Sequence, residues 1–273
     1  MSARQPVPLP DDPIALHAPR LFRLFGWYLR WFFWRNFHAV RFSGAVVESV
    51  PADRPLIIYS NHPSWWDPAL FMLLANTILR DRMSFGPMEA EALGRYKLFR
   101  RFGVYGIDTA AQQGAARFMA ASLRILSKPG TALWVTSEGH FTDPRVRPVR
   151  LRPGLAHLAR RLPDAVIVPL AMEYPFWNER KPEALFRFGR AVEAGEARSL
   201  SVAAWNELLE QRLTETMDAL ALDAMTRDPG RFSRILRGRA GVGGIYDLWR
   251  RLVATAGLRR PELAHEPRRE PGA

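Results

Sequence analysis

The sequence predicts an α/β fold: a mostly parallel central sheet flanked by helices, with an amphipathic interfacial helix near the N-terminus. Three observations predict it. Short apolar runs at residues 56–59, 104–107, 131–136 and 165–172 alternate with longer stretches of helical periodicity, the pattern of β-α-β units. Two of those runs end in polar loops, Asn61 to Asp67 and Ser137 to His140, as expected at the C-terminal ends of parallel strands. The stretch 20–42 is crowded with aromatic residues and interrupted by Arg20, Arg23, Arg30, Arg35 and Arg41.

Residues 1–19 are polar and proline-rich, lack the charge and apolar pattern of a secretory signal, and are expected to form a loose arm. Over 20–42 the arginines break any run of the roughly 20 apolar residues that a membrane span requires. Two placements remain for this helix: flat in a membrane interface, with arginines on anionic headgroups, or packed on the domain's own core. Its density of Trp and Phe favours the interface. The run 56–59, bounded by Pro55 and Ser60-Asn61, reads as a buried strand, and 68–79 as a helix with Asp67 near its start. A strand at 83–85, a helix over 89–99, a strand at 104–107 and a helix over 111–128 ended by Pro129-Gly130 follow.

A strand at 131–136 and a helix at 154–162 come next, then a buried strand over 165–172, where Pro169 calls for an edge or a bulge. An edge strand is expected over 185–188, and Ser199 is the expected cap of a long helix over 202–227. Beyond Asp228 the composition turns Arg-rich, with glycines at 241, 243 and 244 that do not follow a strand and so make no dinucleotide fingerprint. The chain therefore divides into an arm and interfacial helix (1–45), a main domain (46–228) and a basic appendage (229–273).

With 273 residues, 48% of them hydrophobic, the chain can bury the core of one α/β domain. It has no cysteine, which removes disulfides, thiolate metal sites and a cysteine nucleophile. A formal charge of +12 implies an anionic partner: lipid headgroups, nucleic acid, or an acidic or nucleotide-bearing carrier. Nine tryptophans beside those basic residues favour a membrane interface. Single-stranded nucleic-acid surfaces share this composition, but no zinc-finger spacing or RNA-recognition motif accompanies it.

The chemistry centres on Asn61-His62-Pro63-Ser64-Trp65-Trp66-Asp67. Pro63 disfavours the helical conformation at His62, so the chain can turn back and bring Asp67 beneath the imidazole. A carboxylate on one ring nitrogen fixes the tautomer and frees the other to accept a proton, which makes a general base with its orienter. The plainer alternative is a hydrogen-bonded structural pair. His140, with Asp143 three residues on, reads as a second acid or base, a donor to a ligand, or a surface histidine.

The same seven residues resemble the first signature block of the glycerolipid and lysophospholipid acyltransferase family, which includes 1-acylglycerol-3-phosphate acyltransferases. Gly103-Val104-Tyr105-Gly106-Ile107-Asp108, Val135-Thr136-Ser137-Glu138-Gly139 and Val166-Ile167-Val168-Pro169-Leu170-Ala171 resemble its second, third and fourth blocks in the right order. The resemblance implies transfer of a fatty acyl group from acyl-CoA or acyl carrier protein to a hydroxyl of a lysophospholipid or other lipid-like acceptor, within phospholipid biosynthesis. It further implies His62 as base, Asp67 as its orienter and Glu138 on the acceptor; Asn61, Thr109, His140 and Gly139, whose amide is expected to face the thioester oxygen, are further candidates on the substrate. No bound cofactor, metal or nucleic acid is implied, and membrane lipids are the expected partners of a peripheral protein on the cytoplasmic face.

Two departures qualify it. Thr109 stands where the second block of enzymes with phosphate-bearing acceptors has arginine, and Ser137-Glu138-Gly139-His140-Phe141 replaces Pro-Glu-Gly-Thr-Arg. Either neighbouring arginines, Arg145, Arg147, Arg150 and Arg152, take over the phosphate, or the acceptor carries none beside its hydroxyl. Two rival functions are a hydrolase using Ser60, Ser64 or Ser137 as nucleophile, and a protein that only binds membrane or nucleic acid.

Overall fold

The computed structural model describes residues 12–45, 50–108 and 112–239. Helices α1 (Pro13–Leu16) and α2 (Pro19–Asn36) precede strand β1 (Ala39–Phe42). Then come β2 (Leu56–Ser60), α3 (Asp67–Thr77), β3 (Met83–Glu89), α4 (Ala90–Arg95), β4 (Val104–Ile107), α5 (Gln112–Leu126) and β5 (Thr131–Thr136). The chain continues through α6 (Gly154–Ala159), β6 (Val166–Glu173), β7 (Glu183–Phe188), β8 (Val192–Glu193), α7 (Val202–Met225) and β9 (Ser233–Arg237).

Among the described residues the strands make one sheet of nine, ordered β4-β3-β5-β2-β6-β7-β1-β9, with β8 also on β6. β2 lies at its centre and is parallel to β5 and β6, and β3 is parallel to β5 and β4. Beyond β6 the sheet is mixed: β7 runs antiparallel to β6, β1 parallel to β7, and β9 antiparallel to β1. The uninterrupted apolar run of β2 follows from burial on both faces. Ile57 and Tyr59 join the core under α5, α6 and α7, whereas Leu56 and Ile58 join the core under α2 and α3.

Several elements differ from the sequence expectation for identifiable reasons. The end of the N-terminal arm is held, because Asp12 caps α1 and pairs with Arg124 while the Ala18 N–H donates to the Arg101 carbonyl. The helix expected over 20–42 stops at Asn36, and the next residues turn into β1, where the His38 N–H donates to Pro182 and the strand pairs with β7. That pairing makes β7 an interior strand rather than an edge. In place of one helix over 89–99, β3 extends to Glu89 because β4 pairs with it there, and α4 is followed by a 3-10 turn at Lys97–Phe102. The cap of α7 is Ser201, whose hydroxyl accepts the Ala204 N–H, and not Ser199. Pro169 sits in the centre of the sheet, at the point where the neighbour of β6 on one side changes from β8 to β7. Its missing N–H falls in that changeover.

β1 and β9 lie outside 46–228, so the sheet extends past both ends of that span. The rest of the basic appendage, residues 240–273, lies outside the described residues.

Of the two placements expected for the helix, core or interface, the core one holds for one face of α2. Phe22, Gly26, Leu29 and Phe33 are buried, one turn apart, against α3. A Cβ at Gly26 would lie 2.9 Å from the Asn76 side-chain oxygen, so glycine permits the close crossing. Leu24, Trp27, Tyr28, Trp31 and Trp34 face outward on the other side, with Trp27 76% exposed.

A buried ionic cluster ties β1 to β7. Glu183 Oε1 lies 2.5 Å from His38 Nδ1, and Glu183 Oε2 accepts from Arg41 Nε at 2.9 Å. All three side chains are buried, so removing the acid takes from His38 and Arg41 an acceptor they share in the core. Glu183→Ala is expected to lower unfolding free energy by about 3 kcal/mol, measured by urea denaturation; a change within ±0.5 kcal/mol would show that β1 is held by other contacts.

Candidate active site

The site grows from strand register. Ser60 of β2 pairs with Thr136 of β5 on one side and with Leu170 of β6 on the other. Since β2 and β5 run the same way and end at this level, the loops that follow them emerge together, beside the last residues of β6. The Ser137 N–H donates to the Ser60 carbonyl at 3.2 Å, so the two loops start side by side.

Asn61 is the first residue of the β2 loop. Its side-chain amide donates to the Met172 carbonyl at 3.0 Å and accepts the Met172 N–H at 2.9 Å, and the residue is 1% exposed. Expected on the substrate, Asn61 is instead a splint between β2 and β6, with its amide group spent on backbone.

His62 follows, held by the other loop through its main chain. Its N–H donates to Glu138 Oε2 at 2.7 Å, and its carbonyl accepts the Thr142 N–H at 3.0 Å. Its imidazole Nδ1 lies 2.6 Å from Asp67 Oδ2, which also accepts the Ser64 N–H at 3.1 Å. The second Asp67 oxygen accepts from the Tyr174 hydroxyl at 2.7 Å. Asp67 is fully buried, while 15% of the His62 side chain is exposed. The acid is therefore out of reach of solvent and the imidazole is not. Nε2 has no hydrogen-bond partner among the described residues and is the ring atom available to a ligand.

Burial pushes the Asp67 carboxyl above its usual range, opposed by its hydrogen bonds from His62, Tyr174 and Ser64. Burial, then the neighbouring Asp67 charge, pushes the Tyr174 phenol well above its ordinary value, so it stays a donor. Glu138 is also raised by burial and is opposed by the His62 N–H and by the charges of His140 and His62.

The remaining expected residues divide. Glu138 is buried and spends one oxygen on the His62 backbone. Gly139 has φ +74°, the left-handed region that suits glycine. Its N–H donates to the Thr136 carbonyl at 3.2 Å, so that amide does not face a ligand oxygen as expected. The Arg152 side chain crosses directly over Gly139, where an added Cβ would overlap its Nε at 2.3 Å. His140 is exposed. Thr109 lies outside the described residues.

Three of the four candidate phosphate-binding arginines are engaged elsewhere: Arg145 with Asp143 at 2.7 Å, Arg147 with Asp218 at 2.6 Å, and Arg150 with Glu210 at 3.5 Å. Arg152 has no carboxylate partner among the described residues. Nor does a serine stand against His62. The Ser60 hydroxyl donates to the Asn61 carbonyl, Ser64 Oγ accepts the Trp66 N–H, and the Ser137 hydroxyl is buried without a partner.

Two side chains escaped the sequence reading. Tyr174 lies 107 positions from the carboxylate it holds, with no local pattern to mark it. Phe141 places its ring 4.4 Å from that of His62 and is 59% exposed. Its signal was present, as the aromatic residue standing where the resembled block has arginine. The indole of Trp66 packs on Phe32 and Phe37, so the end of α2 adjoins the site.

A family model described as Acyltransferase matches residues 40–173, which span every residue of this constellation except Tyr174. This segment, just under half of the chain, is similar to an acyltransferase domain. The fold is similar to the crystal structure of the 1-acyl-sn-glycerophosphate (LPA) acyltransferase, PlsC, from Thermotoga maritima, with a TM-score of 0.53 at 15% identity over 74% of this chain and 79% of that one. At that identity the likeness is one of fold. No curated protein matches the sequence. Within the matched segment, Asp67 holds His62 Nδ1 and leaves Nε2 without a partner among the described residues.

The splint at Asn61 is testable by itself. Asn61→Ala leaves the buried Met172 N–H and carbonyl unpaired, at about 1–3 kcal/mol for each orphaned group. A lowered denaturant midpoint with an unchanged slope is the expected result; an unaltered midpoint would mean that water replaces the amide.

Proposed function

We propose that this protein moves a fatty acyl group from a thioester donor, acyl-CoA or acyl carrier protein, to a hydroxyl of a lipid-like acceptor at a membrane surface. The observation that carries this reading is the His62 imidazole, with one nitrogen on a buried carboxylate and the other unpartnered at the accessible end of a parallel sheet. Nε2 accepts the proton of the acceptor hydroxyl as its oxygen bonds to the thioester carbon. The C–S bond then breaks, and the same proton passes to the departing thiolate. The alcohol is the nucleophile, so no acyl-enzyme forms. Asp67 favours the required tautomer and stabilises the imidazolium that arises between the two transfers. Tyr174 and the Ser64 N–H offset the cost of keeping that carboxylate buried.

The surroundings of the base bear on the acceptor. Phe141 packs against His62 with its ring tilted, and Arg145 and Arg147 are already paired with acids, which favours an acceptor with no phosphate next to the reacting hydroxyl. A phosphate-bearing lysophospholipid would depend on Arg152, whose side chain lies over Gly139. Association with the membrane is supported by the outward aromatic face of α2 and by Trp65, 67% exposed beside the site. None of the described helices is long and apolar enough to cross a membrane, so the proposed association is peripheral.

The test is a screen of lipid extracts with labelled acyl-CoA and labelled acyl carrier protein. The intact protein is expected to form an acylated lipid. His62→Ala is expected to lose about a hundred- to ten-thousandfold in rate, and Asp67→Asn about a hundredfold or more. Equal turnover by all three proteins would remove His62 from the reaction, whereas acyl release to water without acceptor, with an acylated serine detected by mass spectrometry, would favour a hydrolase.

A further inference from the structure

A cleft of about 580 Å³ lies between α2 and the end of α3 remote from His62. At 1.5 Å per residue the length of α3, 11 residues, sets the two sites about 16 Å apart. Arg23, Trp27 and Arg30 of α2 line it, spaced so that they share one helix face, and Arg80 joins them from the loop after α3. None of these three guanidiniums has a carboxylate partner among the described residues. Arg124, Arg147 and Arg187, by contrast, each hold an aspartate. Asp81 also lies on the wall, while the buried Arg82 beneath it is committed to the carbonyls of Val50, Arg54 and Thr131. The cleft therefore carries an excess of positive charge in a concave setting, where the field of several guanidiniums adds.

Its rim supplies the second half of the argument. Trp27 belongs to the cleft lining and is largely exposed, and Leu24, Tyr28 and Trp31 continue the apolar surface along α2. A basic cavity that opens onto an aromatic face fits a ligand with a phosphate at one end and hydrocarbon at the other. Guanidinium forks match phosphate oxygens, and indole rings settle at the depth of the headgroups.

We propose that this cleft is a second, non-catalytic site that takes the phosphate group of an anionic lipid and so fixes how α2 lies on the bilayer. The proposal rests on the membrane reading above for the source of the phosphate, and on the cleft alone for the preference.

The test compares the full chain with a cleft variant, Arg23→Gln/Arg30→Gln/Arg80→Gln, and with a control of equal charge loss on the opposite layer, Arg117→Gln/Arg161→Gln/Arg198→Gln. Thermal melting checks that all three proteins are folded. Partitioning is measured on vesicles of phosphatidylcholine alone and of phosphatidylcholine doped with phosphatidylglycerol, and inorganic phosphate is titrated by calorimetry. The cleft variant is expected to lose about tenfold or more on the doped vesicles and the control no more than about twofold. Should the intact protein ignore both vesicles yet bind inorganic phosphate in a way that the cleft variant cannot, the site stands with free phosphate as its ligand and the membrane reading fails by itself. Equal losses in the two variants, undiminished binding by the cleft variant, or binding of neither probe by the intact protein would overturn the site.

Discussion

The constraint on which this structure depends is the parallel pairing of β2 on both of its edges. Ser60 stands opposite Thr136 and Leu170, so the chain leaves β2 and β5 at the same level and in the same direction, while β6 runs on beside them to Glu173. The first residues past that level then lock to one another: Asn61 to Met172, Ser137 to Ser60, and Glu138 to the His62 N–H. A one-residue slip of β2 against either neighbour would invert its buried faces and part His62 from Glu138. The packing that protects the core and the geometry that aims the imidazole are thus the same set of contacts.

Within that frame the Asp67 carboxylate is the most exacting group. It is fully buried, and its charge is met by three donors: the His62 imidazole, the Tyr174 hydroxyl and the Ser64 N–H. Desolvation raises its proton affinity while the donors oppose the rise, so the site holds a carboxylate that gains strongly from a cationic imidazole. Tyr174 reaches it from just beyond β6, which makes the electrostatics of the base depend on the same β2 to β6 pairing as its position.

Helix α2 connects this chemistry to the outer surface. One face is a spacer packed on α3, and the other carries rings and guanidiniums turned away from the domain. Its C-terminal end touches Trp66 through Phe32, and its N-terminal half lines the basic cleft. A single element therefore spans the distance between the candidate base and the basic cleft.

The run 56–59, the helix after Asp67, the strand over 131–136 and the association of His62 with Asp67 were legible in the sequence, because each depends on residues close in the chain: an apolar run, a proline, a spacing of five. The outward and inward faces of α2 were legible only as alternatives, since periodicity marks an amphipathic stripe without naming what covers it. What tertiary structure decided was every pairing across long separations. β1 closing over β7 turned an expected edge into an interior strand, and Asn61 became a splint once Met172 lay beside it. Arg145 and Arg147, free in the sequence, found Asp143 and Asp218, and Tyr174 found Asp67. By itself the sequence determined which groups could perform the chemistry, because ionisation and short-range turn geometry are local properties. The fold decided which of those groups remain available, because a hydrogen-bonding side chain is spent by whichever partner the packing brings within reach.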